Sequence, residues 1–398
     1  MRRNHPRLVQ SRCPHVDRSP ISPGLTYGGE VRLLFVSSTT VGGSGRSQRE
    51  LATQLELRGH EVRFVADDDM PARVNRFAYE KLSDLAVRTS HLPGSRITEW
   101  LERQPGRRSK PIEIDGRSHA VSPVPQNALA QQIEALDPDA VVGNSLERLA
   151  WRRIHRVCGQ QGVPTVLYVR ESDSLAHFAH GEVPDVLIAN AQSLQTELRN
   201  SGYDCAFVPS VIDTSVTRTD SSRAVALAVN PIASRGADII WRLAVAAPEV
   251  PIVVQESWPL TGNDLATIEH QVAKLPNVEF RRRAAPGPAL YGDTRVLLVP
   301  YRVDNRPRVI TEAQSNGIPV LAADVPALRE AIGGGGTVVS IDDIDAWVAE
   351  LRSLWADLNH YERLSSAALV HSQRPEIDPG SIAGQFETLI EDFLRDQT

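Results

Sequence analysis

The sequence predicts an α/β protein made of two parallel, doubly wound units. Three observations carry this. Short apolar runs of strand length alternate with helical stripes from residue 31 onward. A Thr/Ser/Asp-rich stretch, residues 213–223, interrupts the rhythm as a linker does. The same rhythm then restarts at Ala224 and closes with an apolar-striped helix. A chain of 398 residues, 41% of them hydrophobic, is long enough for two domains with sizeable cores. The expected limits are a disordered tail at 1–28, a first domain at 29–208, a second at 209–376 and a final helix at 377–398.

In the first unit, Val31 to Val36 reads as a strand. Gly42-Gly43-Ser44-Gly45 then reads as a loop before a helix over 46–58, with Leu51 and Leu55 one turn apart. A strand, a glycine loop and a helix let backbone approach a ligand closely. As a dinucleotide fingerprint it is incomplete, because Gln48 holds the place of the third glycine; a plain tight turn is the other reading. Val62 to Val65 is the second strand, and Asp67-Asp68-Asp69 ends it as a solvated loop. Residues 90–125 read as loops with at most one short helix. Leu129, Ile133 and Leu136 mark a helix that Asp137-Pro138 breaks. Ala140 to Gly143 is a strand, with Asn144 and Ser145 opening its loop. A helix over 146–160 leads to the strand Thr165–Val169. Arg170 and Glu171, at the end of that strand, read as an ion pair, with Arg170 as an anion contact the alternative. His177 and His180 read as surface residues. Asp185 to Asn190 is a strand that enters a helix through Ala191-Gln192-Ser193.

In the second unit, Ala224 to Val229 is a strand followed by Asn230-Pro231 and Arg235-Gly236, then a helix with Ile239, Ile240 and Leu243. Ile252 to Gln255 is a strand with Glu256-Ser257-Trp258 at its end. Val278 to Phe280 is another, followed by Arg281-Arg282-Arg283, which reads as a solvated face. Gly333 to Gly336 reads as a flexible turn, since no lysine-bearing helix follows to make it a phosphate loop. Ile382, Phe386, Ile390 and Phe393 stripe the last helix.

The most informative stretch runs from Arg295 to Ala322. Arg295 to Pro300 is an apolar strand, Pro307 suits the first turn of a short helix, Gly317 suits the position past its end, and Val320 to Ala322 is the next strand. The loop 301–307 therefore lies at the carboxyl end of a parallel strand, where open α/β sheets bind ligands. It carries Arg302, Arg306 and Arg308 beside one acid, Asp304. Arginines around a helix N-terminus make an anion site, and phosphate is the expected anion. Glu312, four residues past Arg308, shares its helix face.

Asp304, seven residues, then Glu312-Ala313 and the Gly317-Ile318-Pro319-Val320 strand entry resemble the acid-x7-Glu signature of retaining GT-B glycosyltransferases of family 4 type. The family usually has Glu where this chain has Asp304, and a Gly-Phe-Gly-like loop where it has Asn305-Arg306-Pro307-Arg308. Phe207 to Asp213 resembles the family's passage between domains. Asn230-Pro231 followed by Arg235-Gly236 resembles its Asn-Pro, Lys-Gly loop, with a guanidinium fork in place of the lysine. The resemblance spans about residues 30–375.

It implies a GT-B fold: two Rossmann-like domains facing a cleft, with the C-terminal helix crossing back to the first. It implies that the second domain holds a nucleotide sugar, with a UDP-sugar favoured. Donor contacts then fall on Gly43, Asn230, Arg235, Arg306, Arg308, the backbone at Val309 and Ile310, and Glu312. Arg235, Asp304 and Glu312 form the catalytic set: Arg235 on the leaving diphosphate, Asp304 on the donor sugar, Glu312 on the ribose. Gly42, Ser44, Arg170 and Glu171 fall on the acceptor side, where many relatives carry a histidine in place of Arg170. The resemblance implies no metal and no cofactor beyond the donor itself. The acceptor is left open as a small molecule, a lipid-linked group or a saccharide.

Composition excludes some classes. The net charge of −6 argues against nucleic acid as a main partner. Cys13, Cys158 and Cys205 have neither metal spacing nor an even count, which fits a reducing cytoplasm. No apolar run is long enough to span a membrane, which leaves peripheral contact open. Two rivals share the pattern: a sugar-nucleotide epimerase on the same fold, and a catalytically silent nucleotide-sugar binder. An NAD oxidoreductase fits poorly, because the glycine fingerprint is incomplete.

Overall fold

A computed structural model describes residues 29–37, 42–66, 109–121, 125–144, 146, 148–171, 182–283 and 287–397. The expectations for the tail, Cys13, Asp67–Asp69, Ser145, His177 and His180 concern residues outside that set. In chain order the first unit contains β1 (Arg32–Ser37), α1 (Gly42–Glu56), β2 (Glu61–Ala66), β3 (Lys110–Ile114), β4 (Arg117–Val121), α2 (Pro125–Leu136), β5 (Ala140–Asn144), α3 (Arg148–Gln161), β6 (Thr165–Val169), β7 (Val186–Ala189), α4 (Gln192–Asn200) and β8 (Ala206–Phe207). Its sheet has the order β3-β4-β2-β1-β5-β6-β7-β8. Every pairing is parallel except β3 with β4. The core strands are buried on both faces, as parallel strands flanked by helices must be.

The second unit contains β9 (Val225–Val229), α5 (Ala237–Ala246), β10 (Ile252–Gln255), α6 (Gly262–Val272), β11 (Val278–Arg281), β12 (Thr294–Val299), α7 (Arg308–Gln314), β13 (Val320–Ala323), α8 (Pro326–Ile332), β14 (Gly336–Val339), α9 (Ile344–Ala356) and α10 (Leu358–Ser372). The order β11-β10-β9-β12-β13-β14 is parallel throughout. One continuous core surrounds this sheet.

Two expectations need correction. Residues 110–121 form a β-hairpin rather than loop. Its turn is Asp115-Gly116, with φ of 51° and 72°, the backbone that two-residue hairpins favour. Gly333–Gly336 is closely packed rather than flexible. A Cβ on Gly335 would lie 2.6 Å from Ala368 Cα, and one on Gly336 2.1 Å from Val320 O.

The last helix, α11 (Pro379–Gln397), packs on the first domain. Ile382, Ala383, Phe386 and Ile390 join the core of β1, β2 and α1. The Phe386 ring lies 6.3 Å from that of Phe35, which stacks on Phe64 at 5.8 Å. Outside that stripe, Glu387 accepts from Arg58 at 2.9 Å and pairs with His60 at 2.9 Å. Among the described residues no helix is long and apolar enough to cross a membrane, and Cys158 and Cys205 are buried free thiols.

Phe386→Ala removes a fully buried ring that ties the chain's end to the first domain. It should cost about 3–5 kcal/mol in urea unfolding followed by first-domain fluorescence. A cost below about 1 kcal/mol would mean that α11 is not anchored there.

Candidate donor and acceptor cleft

Open α/β sheets bind ligands where the strand order reverses. In the second sheet that point lies between β9 and β12. The loop after β9 begins with Asn230, whose backbone takes a left-handed φ of 45°. Its side chain is consumed by structure. Oδ1 accepts from Ser257 N at 2.6 Å, and Nδ2 donates to Trp258 O at 3.3 Å. Asn230 therefore holds the loop after β10, which brings Trp258 towards Arg235. The Arg235 guanidinium sits over the Trp258 ring at 4.6 Å and the Tyr301 ring at 4.4 Å. Among the described residues it has no ion-pair partner. Gly236 follows with φ of 66°, and a Cβ there would lie 2.0 Å from Pro300 O, so only glycine fits. Arg302 N donates to Ser234 O at 3.0 Å, which stitches the two loops together.

The loop 301–307 distributes its charges in different directions. Arg302 turns outward to Asp238 at 2.7 Å. Asp304 Oδ1 accepts from Ala327 N at 2.8 Å and so caps the N-terminus of α8. No side chain caps α7. One acid is thus committed to the neighbouring helix; Ile310 N turns back to Pro307 O at 3.3 Å, which leaves the N–H groups of Arg308 and Val309 without a hydrogen-bond partner among the described residues.

Arg308 is not the free cation that the sequence suggested. It is buried, and its guanidinium donates to Glu312 Oε1 at 2.6 Å, Ser47 Oγ at 3.1 Å and Glu50 Oε1 at 2.9 Å. Arg46 completes the cluster, 3.0 Å from Glu50 and 3.5 Å from Glu312. Two arginines and two glutamates thus cancel across the boundary between α1 and α7. Glu312 Oε2 accepts from Tyr291 Oη at 2.6 Å. Burial by itself would raise the Glu312 carboxyl, but Arg308, the Tyr291 hydroxyl and Arg46 outweigh it and hold it below its ordinary value. Burial and the Glu312 charge push the Tyr291 hydroxyl well up, so it stays a donor. A carboxylate has about four acceptor positions, so Glu312 keeps room for a further hydroxyl.

The first domain supplies the facing wall. Gly42 to Gly45 is the first turn of α1, not a preceding loop, and the helix ends at Glu56. A Cβ on Gly43 would stand 3.1 Å from Arg308 Cδ, so Gly43 lets the arginine cross between domains. Ser44 lies on the same turn. Arg170 does not pair with Glu171. Its Nε donates to Asn144 Oδ1 and its Nη1 to Ser210 Oγ, and it stacks over Tyr168 at 4.4 Å. Glu171 instead faces Asn305, whose Nδ2 donates to its Oε1 at 3.2 Å; the two residues also share a backbone bridge.

Arg306 has no hydrogen-bond or ion-pair partner among the described residues. Burial lowers its pKa, while Glu330 and the Tyr168 hydroxyl oppose that. Burial and the Arg306 charge bring Arg374 down to about 10. The backbone at Val309 and Ile310 forms the first turn of α7. Arg281 is absorbed by Glu279 at 2.8 Å and Asp293 at 2.8 Å, in keeping with a structural face.

Sequence reasoning missed Arg46, Ser47, Glu50, Tyr291 and the aromatic clamp on Arg235. Arg46 and Glu50 did carry a local signal, an i,i+4 pair directly after the glycines. Tyr291 carried none, because it meets Glu312 only through the fold.

Residues 232–357 match the family model described as Glycosyl transferases group 1. No curated protein sequence matches the chain. Solved structures resemble it over nearly its whole length. HepE of Anabaena in complex with UDP-glucose is 16% identical, with a TM-score of 0.67 over 91% of this chain and 100% of that one. Sucrose-phosphate synthase of Thermosynechococcus elongatus is 13% identical, with 0.68 over 92% and 100%. A putative UDP-N-acetylglucosamine 2-epimerase of Listeria monocytogenes is 10% identical, with 0.55 over 92% and 97%. The chain has the GT-B fold, two Rossmann-like domains, and its second domain carries the glycosyl transferases group 1 match.

Proposed function

We propose that the protein transfers a sugar from a nucleotide-sugar donor, a UDP-sugar, to an acceptor held by the first domain, with retention of anomeric configuration. The observation that carries this is Arg235. A guanidinium over the Trp258 and Tyr301 rings, on the loop that leaves the switch point of the sheet, suits a diphosphate. The match over residues 232–357 includes Arg235 and the loop 301–307, and the HepE structure is a complex with UDP-glucose. These support a donor of the same class.

In this reading the Arg235 fork and the N–H of Val309 stabilise the departing diphosphate, the main catalytic term, while Ile310 N is taken by Pro307 O at 3.3 Å. Glu312, oriented by Arg308 and Tyr291, accepts from the ribose hydroxyls. Arg308 acts through Glu312 rather than on phosphate. Asp304 keeps its cap on α8 through Oδ1 and presents Oδ2 to the donor sugar. The reading calls for no metal, because a guanidinium and a helix N-terminus already supply positive charge.

Retention is the outcome that the described groups favour. Inversion needs a general base opposite the leaving group. Glu171, an acid on the acceptor side, is held by Asn305. The departing phosphate is then the base, taking the acceptor's proton on the face it leaves.

Three outcomes are expected. UDP at about 100 times its dissociation constant should stabilise the protein by about 2.7 kcal/mol in a thermal-shift panel with GDP, ADP and TDP. Arg235→Ala should weaken UDP by about 10- to 150-fold while barely changing uridine, which lacks the phosphates. Equal loss of both ligands would take Arg235 off the diphosphate, and no shift with any nucleotide would sink the reading. Separately, proton NMR of the first-formed glycoside should show the donor's anomeric coupling. An inverted coupling would remove the phosphate-as-base step, and turnover of a UDP-sugar to its epimer without acceptor would favour the epimerase.

A further inference from the structure

At the carboxyl edge of the first domain's sheet, four polar side chains converge. Asn144 ends β5, Arg170 follows β6, Asn190 follows β7, and Ser210 lies on the chain's passage to the second domain. All four are buried, Arg170 with 9% of its surface exposed and Asn144 with 1%. Their mutual bonds leave a pattern of unmet demand. Asn144 gives its Oδ1 to Arg170 Nε, so its amide cannot be flipped without setting an NH2 against a guanidinium. In that orientation Nδ2 is buried with no partner. Asn190 Nδ2 reaches Ser210 Oγ at 3.4 Å, and its Oδ1 is likewise unpartnered.

The charge is unmet too. The Arg170 guanidinium touches only neutral oxygens and the Tyr168 ring among the described residues. Burying a cation without a counter-charge is costly, and native proteins tolerate it where a ligand completes the pair. Burial lowers the Arg170 pKa, the Tyr168 hydroxyl opposes this, and the Arg308 charge lowers it further, so no neighbouring acid relieves it. Arg306, from the opposite domain, lies within electrostatic reach of the same Tyr168 and is also without a partner among the described residues. Two guanidiniums on opposite walls thus approach one tyrosine; Glu330 acts on Arg306 only through its field, and among the described residues no carboxylate forms an ion pair with either.

We propose that this cluster binds an anionic group, a carboxylate or phosphate, carried by the sugar acceptor. The inference rests on the glycosyl-transfer reading and narrows its acceptor. Arg170 and Asn144 Nδ2 donate to the anion, and Asn190 Oδ1 takes a neighbouring hydroxyl of the same molecule. The cluster belongs to the first domain's sheet and Arg235 to the second's, so two anion sites are expected, one for the acceptor and one for the donor diphosphate.

The probe is inorganic phosphate, titrated by thermal shift into the full chain saturated with UDP, at constant ionic strength. Saturation occupies the diphosphate site, so further stabilisation reports the second one. Asn144→Asp is the sharper variant. It keeps the bond to Arg170 and supplies the missing negative charge, so it should fold at least as well and bind phosphate at least 10-fold more weakly. Arg170→Gln should show the same loss. A UDP-saturated protein that phosphate fails to stabilise, or an Asn144→Asp variant that binds it undiminished, overturns the proposal. UDP-glucuronate and UDP-glucose provide the second arm. If Asn144→Asp weakens only UDP-glucuronate, the anion belongs to the donor and the acceptor assignment fails. If UDP itself does not bind, the glycosyl-transfer reading fails. The phosphate titration without nucleotide, wild type against Asn144→Asp, then still decides whether the anion site exists.

Discussion

The buried charge cluster of Arg46, Glu50, Arg308 and Glu312 is the interaction on which the rest of the cleft depends. It joins the first helix of one domain to the short helix that follows β12 in the other. Taking four charges out of water is expensive, and such clusters are often no better for stability than apolar packing. Their alternative value is specificity, and here the geometry is specific. Arg308 satisfies Glu50, Ser47 and Glu312 at once, and Glu50 also accepts from Asp213 N at 3.0 Å, on the passage between domains. Removing one member would leave the others buried and unpaired, a loss of about 3–5 kcal/mol for a buried pair. The orientation of the Glu312 carboxylate is therefore set partly by the first domain.

Much of the fold was legible because parallel α/β sheets announce themselves. Strands buried on both faces need continuous apolar runs, and β5, β6, β9 and β12 all read that way. Strand order could not be read locally, yet the strand-end rule put loop 301–307 at a ligand crevice and the resemblance put Asn230 to Gly236 on the same donor; the two loops do meet through Arg302 N and Ser234 O. The glycines before Arg46 were seen as a loop because glycine usually breaks helices. Their actual demand is steric: Gly43 makes way for Arg308, a contact with a residue 265 positions away in sequence. The hairpin at 110–121 had its signal in Asp115-Gly116, which mixed charge and proline around it obscured.

The site was legible in its spacing and illegible in its pairing. Asp304, Arg308 and Glu312 stand out in the sequence, but sequence gives charges and not partners. Asp304 reaches α8 and Arg308 reaches α1, connections that only the packing of loops decides. Arg170 shows the same limit. An acid beside it in sequence suggested an ion pair, but side chains at the end of a strand alternate sides, so neighbours in sequence point apart. Arg170 turns into the sheet edge towards Asn144 and Ser210, while Glu171 faces the second domain.

The central claim is that donor recognition by Glu312 depends on a charge cluster shared by both domains. A double-mutant cycle on Glu50 and Arg308, read by calorimetric UDP affinity, tests it most directly. Glu50→Gln and Arg308→Gln should each weaken UDP. The double variant should lose less than the sum, with a coupling of about 0.5–3 kcal/mol. Fully additive losses, or UDP affinity untouched by either change, would contradict the account and make the cluster a structural contact with no bearing on the donor.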